Sequence, residues 1–263
     1  MTRRLGSFIL TLLLALPVLA EPLNFSPHPV HYPEREKRVF KPLLDYLEKA
    51  TGQPLQLLGF SNFHQFWAGL RRREDLDIIL VEPHLAAYMM EKKDYIPLAE
   101  AVEPTRYTLL VSNPAYRSLN DLLGYKVSAL PSPSMGNVLL DEWYPNPLQR
   151  PLIDATARDW QDTVDAVFAE ETAAAMVPAH LSEQYPNLQS VRTSEDYPGL
   201  TLLVSEEVSE PTQRALQEAM LALDANKPEH LEILRELHVT GFKEPDEDDY
   251  EDLEELLKNT FGF

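Results

Sequence analysis

Four histidines and one carboxylate stand out as groups able to do chemistry: His28, His31, His64, His84 and Glu82. Each falls where a predicted strand gives way to a loop. Imidazole nitrogens joined by a carboxylate make a donor set for zinc or another transition metal. A neutral imidazole N–H equally serves an anion as a hydrogen-bond donor. The third reading is four unrelated loop residues, and their spacing does not choose among the three. Glu82 also suits a ligand amine. A second group lies in Pro131-Ser132-Pro133-Ser134 and the helix start after it, where Ser132, Ser134, Gly136 and Asn137 fall together. Hydroxyls and backbone N–H groups at a helix N-terminus hold an anion, although serines there also serve as turn and cap residues. Arg106 can clamp a carboxylate or phosphate through two parallel bonds, or stand as a surface charge. Trp160 can stack on a ligand, but its spacing to Val164 and Val167 favours packing against a sheet. Phe25, Tyr32, Phe63 and Tyr88 lie in the same loops and belong with the core. No nucleophile elbow, phosphate-binding glycine loop or HExxH is present, so no catalytic residue, resident metal or cofactor is expected.

The elements that must hold these residues alternate. A strand at 23–25 precedes a helix with Val39, Leu43, Leu47 and Ala50 at helical spacing. Pro42 must kink that helix or sit in a first turn, and Gly52 stops it. A strand follows at 54–58, then a helix from the Asn62 cap to about Arg72. Ile78-Ile79-Leu80-Val81 is an unbroken apolar run, the mark of a buried parallel strand, and Pro83 opens the next helix. From Tyr107 the pattern restarts. Strands fall at 107–111, 125–130, 152–153 and 173–177, with helices at 118–123, 136–143 and 159–168. A strand at 200–204, a helix at 211–223 and helices at 229–237 and 249–258 end the chain. This β-α order predicts an α/β protein whose sheets are mainly parallel and flanked by helices. Two βα blocks predict two lobes, residues 21–104 with 199–263 and residues 105–198, joined by two crossover segments. Ligands bind such sheets at the carboxyl ends of the strands, where the candidate loops fall.

The first twenty residues read differently. Arg3 and Arg4 precede an apolar run from Leu5 to Leu16, then Pro17 and the small-residue site Val18-Leu19-Ala20. The 16 residues between Arg4 and Glu21 reach about 24 Å as a helix, short of the roughly 30 Å hydrocarbon core. A secretory leader over residues 1–20, cleaved after Ala20, is therefore expected, with no stable membrane insertion. The 263-residue chain has no cysteine, hence no disulfide, thiolate site or lipid-bearing cysteine. A monomer kept in a Gram-negative periplasm is expected. The formal net charge of −19 repels nucleic acid and anionic membranes. The acidic run Glu244–Asp252 lacks the glycine and loop order of an EF-hand and reads as a solvated helix start.

The order of segments resembles a known family. Phe40-Lys41-Pro42-Leu43-Leu44-Asp45-Tyr46-Leu47 through Thr51-Gly52, Asp77-Ile78-Ile79-Leu80-Val81-Glu82-Pro83, Tyr107-Thr108-Leu109-Leu110-Val111, and Ser118-Leu119-Asn120-Asp121-Leu122-Leu123-Gly124-Tyr125-Lys126-Val127 carry it. Gly241-Phe242 and the acidic Tyr250 segment complete it. Together they resemble a type II periplasmic solute-binding protein of the phosphate, phosphite and phosphonate ABC-transporter group. The resemblance implies two lobes that close on a small anionic or zwitterionic, phosphonate-like solute and deliver it to an ABC permease. A membrane receptor kinase is the alternative partner, and an enzyme using a histidine base is a further alternative on the same fold. The resemblance also implies an oxyanion held at Pro133-Ser134-Met135-Gly136. There the family's Ser-Thr-Ser-Gly is reduced to one hydroxyl, and Pro133 removes an N–H donor. The family's later histidine falls on Trp160, and its acidic residue falls on Pro178. These departures count against a phosphonate itself and leave the binding-protein fold intact.

Overall fold

The computed structural model describes residues 21–263, so the leader expected over residues 1–20 lies outside the described residues. Leu23–Pro27 (β1), Leu55–Leu57 (β2) and Ile78–Val81 (β3) pair in parallel, with β1 between the other two. Every residue of β3 is buried, as its unbroken apolar run requires. Helices Pro33–Thr51 (α1), Phe63–Arg72 (α2) and Pro83–Lys93 (α3) follow the three strands. Pro42 lies inside α1 rather than in its first turn. Gly52 ends α1 at φ 68°, with its N–H on the Glu48 carbonyl, the left-handed stop that glycine adopts without Cβ strain.

Tyr95–Ala101 (β4), Thr201–Ser205 (β10) and Phe242–Lys243 (β11) complete the first sheet, in the order β11-β4-β10-β3-β1-β2. The second sheet has the order β7-β6-β8-β5-β9. It is built from Tyr107–Val111 (β5), Lys126–Ser128 (β6), Leu152–Asp154 (β7), Ala174–Pro178 (β8) and Gln189–Thr193 (β9). Helices Met135–Trp143 (α4) and Trp160–Phe168 (α5) cover it. Glu210–Leu221 (α6) and Leu231–Leu237 (α7) belong to the C-terminal part of the chain. The chain leaves the first sheet after β4 and returns at β10, and between the sheets Thr105 and Tyr197 exchange both backbone hydrogen bonds at 3.0 Å.

The α/β class with two sheets and flanking helices matches the expectation. The sheets themselves are mixed. Each has a parallel block of three strands, and β10, β4, β11 and β5 pair antiparallel to their neighbours. Three strands were not anticipated. Pro97 and Glu100 hide β4, and the register shifts beside Pro97, where a missing N–H is tolerated. β9 is mostly exposed and polar, and β11 has only two residues. The helix expected over 249–258 is two short 3₁₀ turns instead, broken by Asp252 at φ 62°.

The side-chain caps at Asn62 and Asp159 are made. The Asn62 side chain accepts from the Gln65 N–H at 2.9 Å, and Asp159 accepts from the Asp162 N–H at 2.9 Å. Asn62→Ala is expected to cost about 1 kcal/mol, read as a lower urea midpoint at unchanged slope. An unshifted midpoint would show that the cap bond contributes nothing.

Candidate functional site

The loops after β1, β2 and β3 face the turn before α4 and the start of α5, so the candidate residues converge on one seam. Its centre is filled. Val30 and Phe63 from one side pack on Leu130 and Ala157 from the other, with Trp160 against them. At the rim the Tyr32 hydroxyl donates to Asp162 Oδ2 at 2.9 Å. Open space lies on one flank, as two adjoining clefts of about 310 and 440 Å³. These volumes fall at the lower end of the range for small-molecule sites. His64 and Ser132 line both clefts. Trp67, Arg71, Thr260 and Phe261 complete the smaller one, and Asn62, Pro131, Asn137, Ile153 and Ala155 the larger one. The Arg71 guanidinium lies over the Trp67 ring, 5.6 Å from its centroid, and its buried Nε has no partner.

Glu82 caps β3 where the chain turns into α3, and it is 4% exposed. Its Oε2 accepts from the Met135 N–H at 3.1 Å, at the N-terminus of α4, and its Oε1 accepts from the Tyr107 hydroxyl. Burial pushes its carboxyl up to about 7, against the lowering effect of these two bonds. His84 is fully buried in the first turn of α3, and its Nε2–H donates to the Pro133 carbonyl at 2.8 Å. Its Nδ1 has no partner. Burial holds its pKa down at about 4, so it is neutral at pH 7.

The remaining histidines divide. Burial, then the charges of His31 and His84, hold His28 down to about 3. Burial, then Arg35 and His238, hold His31 down to about 4. His64 is exposed and lines the clefts. Among the described residues no three His, Asp or Glu side chains are arranged to hold a metal ion. The structure pairs two histidines that the sequence reading passed over. His180, after β8, stacks on His238, at the end of α7, with ring centroids 4.8 Å apart.

The other expected ligand residues take several roles. Ser132 and Asn137 line a cleft, although the Asn137 amide also donates to the Leu130 carbonyl at 3.1 Å. Ser134 is buried and its hydroxyl donates to the same carbonyl at 3.0 Å, so it braces its own turn instead of facing solvent. Gly136 provides space: a Cβ there would lie 2.8 Å from Met176 Cγ and 3.3 Å from the Tyr107 ring. Trp160 packs edge-on to Tyr107 at 5.4 Å, the packing role that its helical spacing favoured. Arg106 lines neither cleft. It is exposed and pairs with Asp196 at 3.1 Å, so the hinge clamp gives way to a surface ion pair. Arg71 was missed, although His64, Trp67 and Arg71 recur at spacings of three and four, on one helix face.

Residues 25–250 match the family model described as ABC transporter, phosphonate, periplasmic substrate-binding protein. The chain belongs to this family. Its members are transport binding proteins, and the family places the chain in the periplasm. No curated protein is similar enough to count as a relative. Among solved structures, PhnD1 from Prochlorococcus marinus in complex with methylphosphonate superposes at a TM-score of 0.76 with 15% identity, over 90% of this chain and 97% of that one. The binding-protein component of a Pseudomonas aeruginosa ABC phosphonate transporter gives 0.74 at 17% identity, over 89% and 85% of the two chains. A Xanthomonas citri protein bound to ATP gives 0.69 at 15%, over 89% and 94%. Identities this low speak for the fold alone. The two-sheet α/β architecture of type II periplasmic binding proteins is the one seen here.

Proposed function

We propose that this protein captures a small anionic or zwitterionic, phosphonate-like solute in the periplasm and delivers it to an ABC permease. The observation that carries this reading is the pair of clefts meeting at His64 and Ser132, lined from both sheets by imidazole, hydroxyl and amide groups. Such groups suit phosphonate, sulfonate or carboxylate oxygens. Residues 21–104 with 199–263 form one lobe and residues 105–198 the other, and they hinge about the Thr105–Tyr197 bridge. Residues 1–20 serve as the cleaved leader of a monomeric mature protein. No helix among the described residues is long and apolar enough to cross a membrane. The protein acts by binding, with no catalytic residue.

Thermal shift tests the proposal with phosphate, phosphite, methylphosphonate, sulfonates, amino acids and divalent metals. A solute at a hundred times its Kd adds about 2.7 kcal/mol, a rise of roughly 5 to 10 °C for a chain of this size. His64→Ala is expected to weaken that solute at least tenfold, about 1.4 kcal/mol, by calorimetry. A panel without a single shift overturns the reading.

A further inference from the structure

Glu82 presents an unusual arrangement: a carboxylate buried in the seam whose partners are all donors and none a cation. Among the described residues it makes no ion pair; it holds the Met135 N–H and the Tyr107 hydroxyl. Burying a carboxylate without a countercharge is costly. The cost falls where donors converge, because the first N–H groups of a helix point outward and its dipole favours negative charge. Tyr107 is 2% exposed and supplies a second donor from β5. The carboxylate comes from the end of β3 in the first sheet, whereas both donors belong to the second. The contact therefore spans the seam and fills an anion position with a side chain of the protein itself. His84, two residues along, binds the Pro133 carbonyl of the same turn, which fixes the approach of α3 to α4.

From this juxtaposition we propose that Glu82 is a specificity-determining residue, an internal carboxyl acceptor that competes with any solute oxyanion for the Met135 N–H and the Tyr107 hydroxyl. The inference rests on the solute-binding reading and deepens it. A free oxyanion gains these two donors only after the Glu82 side chain is displaced, and its apparent affinity falls by the fraction of molecules in which that has happened. The solute's charged group is accordingly left to the donors of the neighbouring clefts, His64 and Ser132.

Calorimetry with inorganic phosphate and with methylphosphonate, on wild type, Glu82→Ala and Glu82→Gln, tests the assignment. Glu82→Ala empties the position and is expected to bind one or both anions at least tenfold more tightly than wild type. Glu82→Gln keeps an acceptor oxygen on the Met135 N–H and is expected to stay within about threefold of wild type. Adding Tyr107→Phe to Glu82→Ala removes a donor and should abolish most of the gain. A circular dichroism melt on each variant confirms folding, and the glutamine variant preserves the side-chain volume should alanine fail to fold; binding by Glu82→Gln as tight as predicted for the emptied site would overturn the assignment. Equal binding of both anions by wild type and Glu82→Ala also overturns it. If some other solute of the panel then shifts both proteins alike, the solute-binding reading stands without Glu82. If wild type is silent to the whole panel while Glu82→Ala gains an anion, the assignment stands and the native reading fails.

Discussion

Gly199→Ala is expected to destabilise the protein by about 3 kcal/mol, the upper end of the usual cost of forced overpacking. A Cβ at this position would lie 2.2 Å from the Ala101 carbonyl oxygen and 2.8 Å from that of Glu103. Neither atom is the free end of a side chain. Ala101 is fixed in β4, where it pairs with Phe242 of β11 and takes the Leu200 carbonyl on its N–H at 2.9 Å. Glu103 is held in turn, since its carboxylate accepts from the Thr240 N–H and hydroxyl. Gly199 itself donates its N–H to Glu100 Oε1 at 3.0 Å. Relief must then come from the backbone that carries the chain back from the second sheet to β10. For a chain of this size the melting temperature should fall by roughly 6 to 12 °C, measured by calorimetry. Gly241→Ala is the comparison, because its nearest neighbour would stand at 3.4 Å, an ordinary contact with little cost. Equal melting temperatures for the two variants would show that the crossover is not tightly packed.

How far the sequence discloses this molecule depends on the range of the physics involved. The α1, α2, α3 and α5 helices were legible because their caps and stops are local. Asn62, Pro83, Asp159 and Gly52 each act within a few residues. β3 was legible because a strand buried on both faces needs an unbroken apolar run. β4 was hidden because Pro97 and Glu100 are accommodated by partners far along the chain: a register shift against β10 and the pairing of Glu100 with Lys243 at 3.2 Å. The same distinction holds at the site. The loops after the strands identified His64 and Ser132, since strand ends converge in any such sheet. That Ser134 would turn inward to Leu130, and that Arg106 would find Asp196, depends on which neighbour is nearest in space. Thr260 and Phe261 reach the smaller cleft through the tail, where the Phe261 carbonyl accepts from the Trp67 indole at 2.9 Å. No local pattern announces a contact 194 residues apart. Glu82 was singled out as a ligand group, but only the packed seam pairs it with the protein's own donors.

Below pH 6.5 the wild-type protein should lose stability that a His84→Gln variant keeps. His84 is fully buried and its pKa is held down at about 4, against 6.5 for a free histidine. Between those values the unfolded chain takes up a proton that the folded one refuses, so stability falls as pH falls. The stabilisation is complete above pH 6.5 and is lost as pH drops through 4. The gap between about 4 and 6.5 corresponds to roughly 3 kcal/mol, about 2 kcal/mol of it lost by pH 5. His28 and His31 act in the same direction, also through burial. Glu82 and Glu36 act against them. Burial raises both carboxyls to about 7, so their stabilisation is complete below pH 4.5 and is lost as pH rises through 7. The acid profile of the wild type alone is thus a sum of opposing parts, and the difference from His84→Gln isolates one of them. Glutamine keeps an N–H for the Pro133 carbonyl and cannot titrate. At pH 7.5 the variant should be no more stable than wild type. At pH 5 its melting temperature should have gained on wild type by roughly 4 to 8 °C. Two profiles that run parallel from pH 7.5 to pH 4.5 would mean that the buried imidazole reaches its proton without unfolding.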